Sequence, residues 1–213
     1  MNFFYIATFL LVSVLNCFSQ DSISITDNIL TTTIFKQGTY ANFNEFIKNS
    51  PSTNNVFSIE NSQNGSCYIT FEPACSKYEL VFGVCYKDTI YINNQQFTSS
   101  SNRFSKLIKL DYPISYFMGP VAIADKKGGG AAVLFGLLGA AVSSIPSDRL
   151  VGIDMRTGDF IILDDYGINK LLKDDEELTS KHEMIKKMDN NELFLFQLID
   201  AYNTKKKEHQ SFK

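Results

Sequence analysis

Residues 78–94, "YELVFGVCYKDTIYINN", contain two runs of β-branched and aromatic residues on either side of Lys87 and Asp88. Runs of this composition are typical of β-strands, and a two-residue connection between them is typical of a hairpin. The dipeptide lacks the glycine that a primed turn prefers, but its place between the two runs still predicts a tight turn. This stretch therefore predicts two neighbouring antiparallel strands.

Similar runs extend the pattern from Val56 to Asp125, separated by Asn, Ser, Gly and Pro. Their spacing predicts a meandering antiparallel sheet with one aromatic face and one polar face. A later pair of runs, "LVGIDM" and "DFIIL", flanks Gly158 and predicts a second hairpin at residues 149–164.

Helices are predicted at both ends of this β pattern. Asn42 can cap a short helix in "NFNEFIKNSP", because Glu45 follows three residues later as in a capping box. Residues 166–207 read as helical, and their last helix has an apolar face at Leu195, Leu198, Ile199 and Tyr202. Lys205, Lys206 and Lys207 suit the C-terminal dipole of a solvated helix end. The fold class is α+β, with a β-rich region at residues 33–125.

The first 19 residues have the pattern of a signal peptide. An apolar run from Phe3 to Leu15 precedes small residues that suit cleavage after Ser19, which leaves a single domain at residues 20–213. Thirteen apolar residues are short for a membrane span, which needs about 20. The alternative is a lipoprotein with Cys17 as the lipidated residue, although Asn16 is a poor residue before that position.

Three cysteines remain after such cleavage: Cys67, Cys75 and Cys85. In an oxidising compartment any two of them can form one disulfide, and the spacing does not choose among the three pairings. No CxxC motif is present, so the sequence gives no support for zinc or thioredoxin-type chemistry.

Residues 128–147, "GGGAAVLFGLLGAAVSSIPS", carry no charge. They lack the Lys and Ser/Thr of a phosphate-binding loop. Small residues recur every four positions, as in packed membrane helices, at Ala132, Gly136, Ala140 and Ser144. The apolar part, residues 131–145, spans only about 22 Å as a helix, against roughly 30 Å of hydrocarbon. The sequence therefore favours a buried Gly/Ala-rich helix over a membrane-embedded one.

Composition and residue types also limit which partners and reactions the sequence supports. The net charge is −3 and arginine occurs only at Arg103, Arg149 and Arg156, so we expect no nucleic-acid partner. His182 and His209 are the only histidines, and no nucleophile motif accompanies them. We predict no catalytic residue, no metal ligand and no cofactor, while carboxylates that meet only in the fold leave a hydrolase as an alternative.

Four segments together resemble a known group of proteins: "GTYANFNEFIKNSPS", "KDTIYINNQQF", "FSKLIKLDYPISYF" and "GIDMRTGDFIIL". They are similar to uncharacterised exported proteins of Bacteroidetes-type bacteria, and the resemblance covers nearly the whole mature chain. Asp88-Thr89 replaces the glycine usual in that group's turn. The resemblance implies export and this architecture, and it implies no catalytic residue.

The prediction is an exported α+β protein, periplasmic, outer-membrane-associated or secreted, with a non-catalytic binding or structural role. Its partner would be another protein or an envelope component. The first alternative is a membrane-inserting or oligomer-forming protein that acts through residues 128–147. The second is the carboxylate-dependent hydrolase.

Overall fold

The computed structural model describes residues 28–53, 56–61, 66–72, 81–97, 103–121, 147–188 and 192–211. The strands are β1 (Gly38–Tyr40), β2 (Val56–Asn61), β3 (Ser66–Glu72), β4 (Gly83–Tyr86), β5 (Thr89–Asn93), β6 (Arg103–Lys109), β7 (Ile114–Val121), β8 (Ser147–Asp154) and β9 (Phe160–Ile162). The helices are α1 (Phe43–Ile47), α2 (Asp165–Leu172), α3 (Glu176–Ile185) and α4 (Glu192–Ser211). The α+β prediction is confirmed.

Two of the predicted turns are present. β4 and β5 pair antiparallel across Lys87 and Asp88, whose φ angles are 48° and 58°. Both residues adopt the left-handed conformation that a type I′ turn requires, although neither is glycine. β8 and β9 also pair antiparallel, and Gly158 in their connection has a φ of 84°.

The predicted Asn42 cap forms at the start of α1, and Glu45 also bonds back to the chain before the helix. The side chain of Asn42 accepts a hydrogen bond from the backbone N–H of Glu45 at 3.0 Å. The carboxylate of Glu45 accepts one from the backbone N–H of Ala41 at 2.7 Å, one residue before the N–H that a capping box would use. These bonds satisfy N–H groups that lie outside the helix's own ladder.

β6 joins the two halves of the sheet. Its first residues pair with both β3 and β5, and its last residues pair with β7 after an irregularity between Leu107 and Lys109. The strand order is β1-β4-β5-β6-β7-β8-β9, with the β2–β3 hairpin attached beside β6, and all these pairs are antiparallel. The result is an open antiparallel sheet.

The prediction of one polar sheet face is wrong, because the central strands bury apolar side chains on both faces. A first core lies between the two halves of the sheet, and it includes Tyr40, Phe46, Cys85, Ile92, Phe117, Val151 and Ile153. On the outer face of β3, β4 and β6 a second core holds Cys67, Ile69, Val84 and Phe104. The β2–β3 hairpin folds over this face, where the rings of Phe57 and Tyr86 lie 5.4 Å apart.

A third core lies between β7, β8 and the three C-terminal helices, which we call the helical layer (α2, α3 and α4). Its buried members are Ile114, Tyr116, Leu150, Leu163, Ile168, Leu172, Leu178, Leu198, Ile199 and Tyr202. The predicted apolar face of the last helix is confirmed, with Leu195 partly buried against this core. Because β7 and β8 are covered on both sides, they hold the helical layer close to the centre of the fold.

Candidate functional site

α4 is fixed to the sheet by one buried side chain. The amide of Asn203 accepts a hydrogen bond from the backbone N–H of Ile114 at 3.0 Å and donates one to its carbonyl oxygen at 2.7 Å. Both residues are fully buried. Since a buried backbone group without a partner is costly, this pair of bonds sets the position of α4 on β7.

Ion pairs fix the same helix from outside. The ammonium of Lys205 lies 2.8 Å from the carboxylate of Asp175, which also caps α3. The ammonium of Lys207 pairs with Asp111, which precedes β7. The lysine run of α4 is solvent-exposed as the sequence predicts, with 37% of the Lys205 side chain and 51% of the Lys207 side chain accessible, and these two lysines also pair with carboxylates of other elements.

These contacts also define how the three helices run. Asp165, the first residue of α2, lies 3.6 Å from the ammonium of Lys186, just after α3. The start of α3 meets the end of α4 through Asp175 and Lys205. Each helix is thus antiparallel to the next, and the start of α2, the end of α3 and the start of α4 lie at one end of the helical layer.

Four large apolar side chains are exposed at that end. The exposed fraction is 74% for Tyr166, 62% for Met184, 48% for Met188 and 62% for Leu193. Tyr166, Met184 and Leu193 belong to three different helices. We call these four residues the apolar end surface. Sequence reasoning missed it; the available signal was that these residues fall outside the buried stripe of each helix.

A polar cluster at the contact between α2 and α3 consists of His182, Asn169, Asp165 and Lys186. The side chain of His182 is fully buried in α3, and its Nδ1 lies 3.0 Å from the amide oxygen of Asn169. Its Nε2 lies 3.6 Å from a carboxylate oxygen of Asp165, which is 66% exposed. Burial lowers the pKa of His182, and the charge of Asp165 partly opposes that effect. The imidazole is therefore neutral at neutral pH.

This cluster gives no direct support to catalysis. The ring of His182 is covered, so a substrate cannot reach it in this conformation. Among the described residues no group of three or more His, Cys, Asp or Glu side chains is arranged to hold a metal ion. The carboxylates of Asp164 and Asp175 act as helix caps, accepting from the backbone N–H groups of Gly167 and Leu178. The hydrolase alternative stays a prediction.

The two described cysteines do not form a disulfide. Cys67 belongs to the core beneath the β2–β3 hairpin, and Cys85 belongs to the core between the halves of the sheet, so the two face opposite sides. Burial raises the pKa of each thiol to about 11. Of the three pairings that the sequence leaves open, the one between Cys67 and Cys85 is not formed in this structure. Cys75 and the lipidation candidate Cys17 lie outside the described residues.

The small-residue ridge also lies outside the described residues. It comprises Ala132, Gly136, Ala140 and Ser144, within the predicted Gly/Ala-rich helix at residues 131–145. In the part of the chain that the structure describes, no helix is long and apolar enough to cross a membrane. The buried helix at residues 131–145, favoured over a membrane-embedded one, therefore stays a prediction.

Fold and surface together define an α+β protein whose exposed apolar side chains concentrate at one end of its helical layer. Residues 38–206 match the model described as "Family of unknown function (DUF6563)", and the chain belongs to this family. No curated protein and no solved structure matches it. The family match agrees with the predicted resemblance to an uncharacterised family.

Proposed function

We propose that this chain is an exported cell-envelope protein that binds a protein partner through the apolar end surface and catalyses no reaction. The observation that carries the proposal is that four exposed apolar side chains lie on or beside the helix ends that meet at one end of the helical layer. Seven large hydrophobic side chains are exposed in the described residues, and four of them belong to this end of the helical layer. Grouped exposure of this kind is typical of an interaction site, whereas single exposed apolar residues are ordinary.

The residue types favour a protein interface. Tyrosine and methionine are enriched where proteins meet, because both present a large apolar area with a weakly polar atom. Covering them releases water from apolar surface at about 25 cal/mol per Å². A partner that covers all four side chains would gain this free energy of burial from each of them.

The surface is also held in place by its support. The ring of Tyr116 in β7 stacks on the ring of Phe196 in α4, with 5.5 Å between their centres. Asn203, on the same helix as Phe196, is hydrogen-bonded to the backbone of β7. A binding surface on packed helices loses little conformational entropy when a partner docks. Its geometry is therefore suited to specific recognition.

The charges nearby favour a protein over a lipid surface as the partner. Lys186 is neutralised by Asp165 and Glu183, at 3.6 Å and 3.3 Å, so the rim carries both signs. A helix that lies on an anionic membrane instead presents a strongly basic face beside its apolar one. Mixed charges around apolar residues resemble the polar rim of a protein interface.

The surface can be tested by native electrophoresis of a gentle extract from cells that make the protein. The mature chain should migrate in a larger, heterologous complex. The double variant Met184→Ser, Leu193→Ser should release it, with an unchanged melting temperature because both positions are exposed. Ile34→Ser is the matched control, since Ile34 is 71% exposed but lies outside the surface. Equal migration of wild type and double variant would contradict the proposal, as would a complex that contains only this chain.

Export is tested separately by the mass of the mature chain. Fractionation of the producing cells should find the protein outside the cytoplasm, with Gln20 as its first residue. A chain that retains Met1, or a cytoplasmic location, would contradict the export part alone. A diacylated chain that starts at Cys17 would replace cleavage after Ser19 with lipidation and leave export intact.

A further inference from the structure

His182 is a fully buried titratable side chain that the proposed function does not use. Its Nδ1 lies 3.0 Å from the amide oxygen of Asn169, and an amide oxygen only accepts hydrogen bonds. In the neutral ring Nδ1 therefore carries the hydrogen and donates to Asn169. Nε2 is left with a lone pair and no hydrogen.

That lone pair has no hydrogen-bond partner among the described residues. Nε2 lies 3.6 Å from a carboxylate oxygen of Asp165, and both atoms are acceptors. The distance exceeds a normal hydrogen bond because no hydrogen lies between them. The second oxygen of the same carboxylate lies 3.6 Å from the ammonium of Lys186.

Three charged groups face the imidazole from the two helices packed around it. Asp165 on α2 and Glu183 on α3 favour a proton on the ring, whereas Lys186 opposes it. The effect of burial, which opposes protonation of the ring, is larger than the effect of any one of these charges. A charged ring is therefore tolerated poorly while α3 stays packed on α2.

We propose that protonation of His182 loosens the contact between the start of α2 and the end of α3, so that this end of the helical layer opens in mildly acidic solution. The imidazolium avoids its desolvation cost only when the ring reaches water, which requires the two helices to separate. Acid therefore favours the open arrangement. The apolar end surface includes residues on these two helix ends, so opening should also change partner binding with pH. Only this effect on partner binding rests on the proposed function.

Hydrogen exchange of the purified mature chain tests the opening without any partner. Protection of residues 165–185 should fall between about pH 7.5 and about pH 5, after correction for the intrinsic pH dependence of exchange, while β7 and β8 keep theirs. Each unit by which burial lowers the pKa of His182 corresponds to an about tenfold larger opening constant in acid. His182→Gln should keep the same protection at both pH values, because glutamine does not titrate.

Equal protection of the wild type at both pH values would overturn the proposal, as would an equal loss in His182→Gln. If that variant does not fold, NMR titration of the wild type decides, with His209→Gln used to assign the two histidines. A pKa of His182 at or above about 6.5 would overturn the proposal. Asp165→Asn should lower the pKa further, since it removes the main charge that favours the proton. An unchanged pKa in that variant would contradict the assigned geometry.

Discussion

Asn203 provides the sharpest test of how the helical layer is attached. Asn203→Leu keeps a side chain of similar size but removes both hydrogen bonds to Ile114. Because both residues are fully buried, water cannot replace the lost bonds. An unsatisfied buried polar group costs about 1–3 kcal/mol, and two such groups remain. Burial of the leucine offsets part of this cost, so the free energy of unfolding should fall by about 3 kcal/mol.

The assay is urea unfolding, followed by circular dichroism, with thermal unfolding beside it. A loss of about 3 kcal/mol in a chain of this length corresponds to a fall in Tm of about 6–12 °C. Gln197→Leu is the matched control, because Gln197 is an amide on the same helix but exposed. It should change stability by less than about 0.5 kcal/mol. A loss below about 1 kcal/mol in Asn203→Leu would refute the role of these bonds.

Three further predictions concern close packing, the thiols and acid stability. Gly167→Ala should destabilise the fold by about 1–3 kcal/mol in the same urea assay, because its Cβ would lie 1.9 Å from the last carbonyl oxygen of β9. Cys67 and Cys85 should react with a thiol reagent only after unfolding, since burial raises the pKa of each to about 11. The hydrogen bond from Lys205 holds the pKa of Asp175 below its ordinary value. This stabilisation is present above about pH 4 and is lost as the pH falls through the lowered pKa, so Lys205→Met should flatten the acid limb of the stability curve.

Each of these three predictions has its own control. Lys170→Ala lies on α2 at an exposed position and should change stability little. The thiol assay uses a Cys75→Ser background, so that only the two buried thiols remain in the mature chain. Lys187→Met is the control for Lys205→Met, because Lys187 is exposed just after α3. A fast-reacting thiol in the folded chain, or equal acid limbs for the two lysine variants, would contradict the corresponding prediction.

Local features of the fold were predictable because they depend on neighbouring residues. The hairpin at Lys87 and Asp88, the helix cap at Asn42 and the apolar face of α4 all follow from side chains within a few positions of one another. Turn chemistry and periodicity are sufficient for such elements. The α+β class follows from their order along the chain.

The pairing of β6 with β3, β5 and β7 was not predictable in the same way. It depends on contacts between distant segments, and strand composition does not choose among such partners. The same limit explains why the prediction of a polar sheet face was wrong, since the hairpin that covers Val84 and Phe104 comes from another part of the chain.

The candidate site depends on tertiary contacts even more strongly. His182 follows Leu178 by four residues on the buried side of α3, which was the only sequence signal for its burial. Tyr166, Met184 and Leu193 lie at the same end of the helical layer only because three antiparallel helices place their ends side by side. No pattern within one helix shows that arrangement.

The central claim is that the apolar end surface contacts another protein, and site-specific photo-crosslinking measures this directly. A photoreactive phenylalanine analogue is placed at Met184 in the producing cells, and the same analogue at Ile34 is the control, because both positions are exposed. We expect one heterologous adduct of defined mass from position 184 and none of that mass from position 34. No adduct from position 184, or the same adduct from both positions, would contradict it.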